Sequence, residues 1–145
     1  MNCEIVPLNP EYLDKLLEGA PPSMLALRVD RAYFSPGSVS CCLLADGVPV
    51  FAGGIVNLGW NRGEGWFMPT IFFRRNVKTC YRALRKYIPR MALENGFARV
   101  QATCVKGVSA SILKHLGFAY EGTMRKFGPF GETCDMWAQF FEVKG

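Results

Sequence analysis

Apolar residues recur along the chain with two periodicities, one typical of helices and one typical of strands. After a short apolar start, residues 9–19 place apolar side chains on one helical face behind an Asn-Pro pair. Residues 21–34 begin with two prolines and predict a second, shorter helix. Between 38 and 56, two β-rich runs flank Asp46 and Gly47, a dipeptide that suits a tight hairpin. This part of the chain therefore predicts a strand, two helices and a hairpin.

A further strand and a long amphipathic helix follow. The sequence GWNRGEG, residues 59–65, predicts a turn, after which the chain returns as a strand along 66–70. Residues 74–95 place apolar side chains at steps of three and four, with basic side chains on another face, and therefore predict a helix. Pro89 predicts a kink in that helix because it removes one backbone hydrogen bond.

The last third of the chain predicts a strand, a short helix and a final hairpin. Residues 97–105 are rich in branched side chains and predict a parallel strand, because a helix flanks them on each side. Residues 107–117 predict a helix closed by a glycine, and 118–143 alternate around a Gly-Pro turn. The resulting order, β-α-α-β-β-β-α-β-α-β-β, predicts an α/β (α+β) fold. Its mixed, mostly antiparallel sheet would have about seven strands, with helices on both faces.

The composition indicates one globular domain spanning residues 1–145. Half of the 145 residues are hydrophobic, which is enough for a single buried core. No apolar run reaches the roughly 20 residues that cross a bilayer, and the start lacks the features of a signal peptide. We therefore expect a cytoplasmic protein with no membrane partner. Six cysteines without CxxC spacing, beside a single histidine, predict reduced core thiols and no metal site.

Positive charge is concentrated in one segment of the chain. The net charge is +5, and residues 74–90 contain seven basic side chains and no acidic one. Such a local excess favours either an anionic partner, such as a nucleotide-bearing cofactor or nucleic acid, or a solvated surface. Nucleic acid is disfavoured because no aromatic platform or known binding motif accompanies the charges. The seven are Arg74, Arg75, Lys78, Arg82, Arg85, Lys86 and Arg90.

The run KGVSASILKHLGFAYEGTMR, residues 106–125, contains a motif with fixed spacing. An LGF triplet at 116–118 closes a helix and is followed by an EG pair at 121–122 and by Arg125, while Ser109 lies eight residues before the glycine of the triplet. This pattern resembles the GNAT superfamily of acyl-coenzyme A dependent N-acetyltransferases, above all the branch that acetylates the N-termini of ribosomal proteins. The predicted order of elements is also that of the family.

The resemblance implies a reaction and a set of catalytic residues. An acetyl group would pass from acetyl-CoA to an unidentified amine by direct attack of the amine on the thioester. Glu64 would act as the base and Ser109 would hydrogen-bond the leaving sulfur. Each has a structural alternative, a solvated turn acid for Glu64 and a helix-capping role for Ser109. Glu121 and Arg125 would either line the acceptor pocket or form a cross-strand ion pair.

The resemblance also implies where acetyl-CoA binds. In the family, glycine backbone N–H groups face the pyrophosphate, but the corresponding segment RRNVKT, residues 74–79, contains no glycine. A helix start with basic side chains can supply phosphate contacts, whereas β-branched Val77 and Thr79 resist positive φ. Lys106 stands where the family has an asparagine. The implied cofactor-binding residues are Phe67, Met68, Arg74, Arg75, Asn76, Val77, Lys78, Thr79, Ala102 and Lys106.

A second hypothesis follows from the same segment. Small size, a tryptophan-bearing fourth strand and a phosphate loop without glycine resemble a phage-encoded group of GNAT-like proteins. The chain would then be an inactive phage or prophage protein with a structural or interaction role, associated with the virion. Its protein partner would be a virion component. Under either hypothesis, a second copy of the chain is another candidate partner, with which it would form a homodimer. Binding of acetyl-CoA separates the two hypotheses.

Overall fold

Seven strands and four helices make up the parts of the chain that the computed structural model describes, residues 2–18, 36–107 and 110–143. The strands are β1 (Cys3–Pro7), β2 (Val39–Ala45), β3 (Val48–Gly59), β4 (Arg62–Pro69), β5 (Arg99–Val105), β6 (Ala119–Met124) and β7 (Cys134–Phe140). The helices are α1 (Pro10–Glu18), α2 (Ile71–Arg75), α3 (Val77–Glu94) and α4 (Ala110–His115). The helix predicted at 21–34 lies outside the described residues.

The strands form one sheet in the order β1-β2-β3-β4-β5-β7-β6. Strands β4 and β5 are parallel, and their register places Glu64 opposite Gln101. The pairings of β1 with β2, β2 with β3, β5 with β7 and β6 with β7 are antiparallel. The prediction of a mixed, mostly antiparallel sheet of seven strands is therefore confirmed. The parallel strand predicted within 97–105 is β5.

The chain divides into two compact units. The first contains residues 1–57 and 65–83, and the second contains 58–64 and 84–145. The single domain expected from the composition stays a prediction. In the first unit, α1 contributes Leu16 to a core cluster whose other members are Cys42, Leu44, Ala52 and Met68. In the second unit the fully buried side chains include Leu84, Val100 and Leu113. None of the helices within the described ranges is long and apolar enough to cross a membrane.

The turn between β3 and β4 is shorter than the predicted turn at 59–65. It consists of Trp60 and Asn61, whose φ angles of 54° and 59° are those of a two-residue hairpin turn that follows the twist of its strands. The prediction was wrong because it took Gly63 as a turn residue, whereas Gly63 is buried within β4. As a consequence Glu64 is a strand residue.

The helix predicted at 74–95 is two helices. Helix α2 ends at Arg75 and α3 begins at Val77, with Asn76 between them at φ −128° and ψ 32°. Asn76 closes α2 by donating its backbone N–H to the Phe73 carbonyl over 3.1 Å. The apolar periodicity continues through this break, so the pattern alone did not reveal it. Helix α3 then runs without interruption through Pro89.

Candidate functional site

Glu64 is held on β4 by its neighbour on β5. The side-chain amide of Gln101 donates from Nε2 to Glu64 Oε2 over 3.0 Å. Burial raises the pKa of the Glu64 carboxyl, while hydrogen bonds from Gln101 and Thr103 and the charge of Arg99 act in the opposite direction. The alternative of a solvated turn acid is wrong, because Glu64 is a half-buried strand residue. A raised pKa makes the ionised carboxylate a stronger base than an ordinary glutamate.

Gln101 is in turn bonded to Arg99, and Arg99 to Glu121. Arg99 donates from Nε to Gln101 Oε1 over 3.1 Å and from Nη1 to Glu121 Oε2 over 3.1 Å. Its Nη2 donates to the second carboxylate oxygen of Glu121, which makes the pair bidentate. The hydrogen bond from Arg99 lowers the pKa of Glu121. Four side chains therefore form one connected chain, which we call the Glu64 network: Glu64, Gln101, Arg99 and Glu121.

The register of β6 explains how Glu121 reaches Arg99. In the β6–β7 pairing, Tyr120 lies opposite Trp137 and Gly122 opposite Met136, so Glu121 is the extra residue of a β-bulge. The ion pair crosses from β6 to β5 over the intervening strand β7. The sequence predicted either an acceptor pocket or a cross-strand ion pair for Glu121. The structure shows an ion pair of Glu121 with Arg99, which was not foreseen, and among the described residues none with Arg125.

Arg125 and Lys106 lie together and are not partners in the hydrogen bonds of the Glu64 network. Both line an open groove of about 750 Å³ at the hairpin between β6 and β7. Among the described residues, the lining includes three basic side chains and no acidic one. The backbone N–H of Lys106 donates to the Thr133 carbonyl over 3.0 Å and ties the end of β5 to the start of β7. The lining residues are Lys106, Thr123, Arg125, Lys126, Gly131 and Thr133.

The segment predicted to bind phosphates, residues 74–79, ends α2 and begins α3. Val77 and Thr79 lie in the first turn of α3 and Asn76 has a negative φ, so the expected conflict with positive φ does not arise. Arg74, Arg75 and Lys78 are exposed, and the structure records no ion pair for them within its described residues. Cys80 N–H donates to the Asn76 carbonyl over 3.1 Å, so the amides of 77–79 precede this first helical bond.

Thr70 anchors the connection from β4 to α2. It is 2% exposed, and both its N–H and its hydroxyl donate to the Val50 carbonyl, over 3.1 Å and 2.8 Å. The hydroxyl therefore bonds to β3 and does not cap α2. The two hydrogen bonds therefore fix the position of the chain just before α2, the helix in which the basic segment at residues 74–79 begins.

The remaining predicted residues lie on the two parallel strands or outside the described residues. Phe67 and Met68 are on β4, and Ala102 is on β5, where it is 2% exposed. The register of β4 with β5 ends at Glu64 and Gln101, while both strands continue beyond that pair. Ser109 lies outside the described residues.

Sequence reasoning missed Gln101 and Arg99. A signal for them was present, because β5 alternates polar residues with the apolar Val100, Ala102 and Cys104. One face of such a strand is polar, and a polar face next to a candidate carboxylate is where bonding partners are expected. The described parts of the chain contain no cluster of three or more side chains suited to hold a metal ion.

No family model and no curated protein matches this sequence, but solved structures do. The ribosomal-protein-S18-alanine N-acetyltransferase from Escherichia coli is 15% identical, with a TM-score of 0.72, over 99% of this chain and 97% of that chain. A GNAT-family acetyltransferase from Streptococcus pneumoniae is 12% identical, with a TM-score of 0.70, over 97% of this chain and 100% of that one.

A third similar structure contains a cofactor. It is yncA from Salmonella typhimurium with acetyl-CoA, 14% identical, with a TM-score of 0.73, over 99% of this chain and 96% of that chain. These likenesses confirm the predicted GNAT fold. The resemblance to phage-encoded proteins stays a prediction.

Proposed function

We propose that the protein is an acyl-coenzyme A dependent N-acetyltransferase that acts on an amine. The observation that carries this proposal is Glu64, a half-buried carboxyl with a raised pKa that Gln101 holds in place on the parallel strand pair. The likeness to solved acetyltransferases supports the same class of reaction. A carboxyl in this setting is a suitable general base, which contributes about 10² to 10⁴-fold to a rate.

The proposed chemistry needs an uncharged amine. An ammonium group has no lone pair for attack, so a proton must leave the nitrogen before or during the bond-forming step. Glu64 accepts this proton, directly or through one water, and Gln101 holds the carboxylate by donating to Oε2. Acetyl-CoA, when bound, supplies an acetyl group activated as a thioester. Ser109 is proposed to donate a hydrogen bond to the departing sulfur.

Acetyl-CoA is proposed to bind by its phosphates at the start of α3. The amides of 77–79 and the exposed side chains of Arg74, Arg75 and Lys78 offer hydrogen-bond donors and positive charge without any glycine. The backbone of Phe67, Met68 and Ala102 is proposed to pair with the pantetheine arm. Both strands continue beyond their last shared pair, which supports this assignment. Lys106 stands where the family has an asparagine, and because lysine only donates hydrogen bonds, its proposed contact with the arm differs from that of asparagine.

Calorimetric titration with acetyl-CoA tests the proposal. We expect saturable binding to the unaltered protein and at least tenfold weaker binding to a variant with Arg75→Ala and Lys78→Ala. A variant with Arg82→Ala and Lys86→Ala removes the same charge from exposed positions further along α3 and is the matched control. No binding at millimolar acetyl-CoA would overturn the proposal. Equal weakening in both variants would show that only the overall charge matters.

A transfer assay tests the reaction itself. The probe is a short peptide with a free N-terminal alanine, because the name of the E. coli structure gives alanine as its acceptor residue. We expect loss of the acetyl-CoA thioester that depends on both peptide and protein. The same peptide with its N-terminus blocked is the control, and equal thioester loss with the blocked peptide would contradict amine acetylation.

A further inference from the structure

Arg99 uses every nitrogen of its guanidinium group on two partners. Nη1 and Nη2 donate to Glu121, and Nε donates to Gln101 Oε1. Its guanidinium carbon lies 5.5 Å from the centre of the Phe140 ring, which supports the flat group from one side. The Arg99 cation therefore lies beside Glu64 without forming a salt bridge to it.

The bond from Arg99 fixes the orientation of the Gln101 amide. A glutamine side chain presents a carbonyl acceptor on one side and an NH₂ donor on the other. Arginine has donors only, so Gln101 must turn its Oε1 toward Arg99, and this leaves Nε2 facing Glu64. The reversed amide would set its NH₂ group against the guanidinium and its oxygen against the carboxylate, and both hydrogen bonds would be lost.

We propose that Arg99 and Glu121 are positioning residues, which fix Gln101 as a hydrogen-bond donor to Glu64 and keep the Arg99 cation paired away from that carboxyl. This inference rests on the proposed role of Glu64 as the base. The β-bulge at Glu121 has a place in the arrangement, because it releases this side chain from the regular register of β6.

The charged groups around Glu64 give Arg99 and Glu121 opposite effects on the ionisation of its carboxyl. On β5, Arg99 favours the ionised carboxylate through its charge, and on β6 Glu121 holds that charge in a bidentate pair. Arg62, on the same strand as Glu64, donates instead to the carbonyls of Gly59 and Leu58 at the end of β3. Removing Arg99 thus takes away a cation and an oriented donor, whereas removing the charge of Glu121 frees the cation.

The test measures the titration of the Glu64 carboxyl by ¹³C NMR in single variants of the full chain. Arg99→Met keeps the packing on Phe140 and is expected to shift the pKa of Glu64 upward. Glu121→Gln is expected to shift the same pKa downward, because the freed guanidinium can turn to Glu64. Shifts in the same direction, or none, would overturn the proposal, since loss of mere structural support gives no reason for opposite signs.

Two further variants complete the experiment. Arg99→Lys keeps the charge but lacks the fork that serves both partners, so it is expected to restore the unaltered behaviour only in part. Full restoration by lysine would overturn the role of Arg99 in orienting the amide. Arg90→Met removes an arginine from an exposed pair with Glu94 and is the matched control, expected to leave Glu64 unchanged. A comparable shift in this control would also contradict the proposal.

Activity separates this proposal from the function on which it rests. With acetyl-CoA and the alanine peptide, Arg99→Met is expected to lower kcat on the order of tenfold to a hundredfold, with KM for acetyl-CoA little changed. Shifts of the Glu64 pKa in opposite directions, without any binding of acetyl-CoA, would support the positioning roles of Arg99 and Glu121 and reject the acetyltransferase. Acetyl transfer together with an unchanged pKa of Glu64 in the variants would support the acetyltransferase and reject the positioning roles of Arg99 and Glu121.

Discussion

Gln101 on β5 donates to Glu64 on β4 over 3.0 Å at the last shared pair of the two parallel strands. Among the strand pairings given for the described residues, β4 with β5 is the only parallel one, and the proposed base lies on it. Replacing Glu64 by Gln keeps the shape of the side chain and removes its capacity to accept a proton. We expect kcat/KM for acetyl transfer to fall by about 10² to 10⁴-fold.

The pH profile gives a control for that prediction. Activity that depends on ionised Glu64 is lost on the acid side, and the raised pKa moves this loss to higher pH than an ordinary glutamate would give. The acid-side loss should disappear in Glu64→Gln. Glu4→Gln, at an exposed position on β1, should leave the profile unchanged. An acid-side loss that survives in Glu64→Gln would exclude Glu64 as its source.

The raised pKa of Glu64 also predicts how stability depends on pH. A carboxyl whose pKa is higher in the folded state than in the unfolded chain favours folding while protonated. That contribution is complete below the unfolded value and is lost as pH rises through the folded value. Urea unfolding across this range should show a loss of stability with rising pH that is smaller in Glu64→Gln than in the unaltered protein. A steeper loss in the variant would contradict the sign.

The two hydrogen bonds from Thr70 to the Val50 carbonyl predict an effect on the free energy of unfolding. Thr70→Val keeps the volume and the backbone N–H bond but removes the buried hydroxyl donor. We expect a loss of about 1 kcal/mol in the free energy of unfolding. Thr70→Ser keeps the donor and should lose less. Urea unfolding measures both, and a less stable serine variant would assign the effect to the methyl group.

Close packing at Gly54 predicts a larger effect. A Cβ atom there would lie 2.3 Å from the Val39 carbonyl oxygen and 2.8 Å from Trp66 Nε1, so the backbone of the neighbouring strand would have to move. Gly54→Ala should therefore lower the free energy of unfolding by about 1 to 3 kcal/mol. At Gly122 no atom from the described part of the chain lies within 4 Å of the added Cβ, which makes Gly122→Ala the control. Equal thermal midpoints for the two variants would refute the packing argument.

The cysteines predict a slow reaction with alkylating reagents. Burial raises the pKa of Cys41 to about 12 and those of Cys42 and Cys80 to about 11. Because the thiolate is the reactive form, these three thiols should react with iodoacetamide at pH 8 at least about 100-fold more slowly than a free thiol. Half-buried Cys3 is the internal comparison. Mass spectrometry of native and urea-unfolded protein measures the rates, and fast native labelling of Cys41 would contradict burial.

Local signals in the sequence account for what could be predicted. Asp46 and Gly47 adopt φ angles of 48° and 80°, as expected for their hairpin, and the chain leaves the predicted long helix at Gly96 with a φ of 76°. Such residues act within a few positions, so the order of elements followed from them. The same locality explains the error at Gly63, because a glycine can stand in a turn or inside a buried strand, and Gly63 is buried within β4.

The candidate site depended on register, which local signals do not determine. Glu64 and Gln101 are 37 residues apart, and Arg99 and Glu121 are 22 apart, with the bulge in β6 deciding the second contact. The sequence could indicate Glu64 and the polar face of β5 separately. Their meeting required the strand order, in which β7 lies between β5 and β6.

The start of α3 has a thermodynamic consequence for any ligand that binds there. Glycine loses more conformational freedom on ordering than any other residue, and a β-branched residue such as Val77 or Thr79 has fewer backbone states to lose. A helix start built from such residues is ordered at little entropic expense before a ligand arrives. Calorimetry of acetyl-CoA should accordingly show a smaller entropic penalty for this protein than for a relative with a glycine loop. The absence of glycine would then be a form of preorganisation.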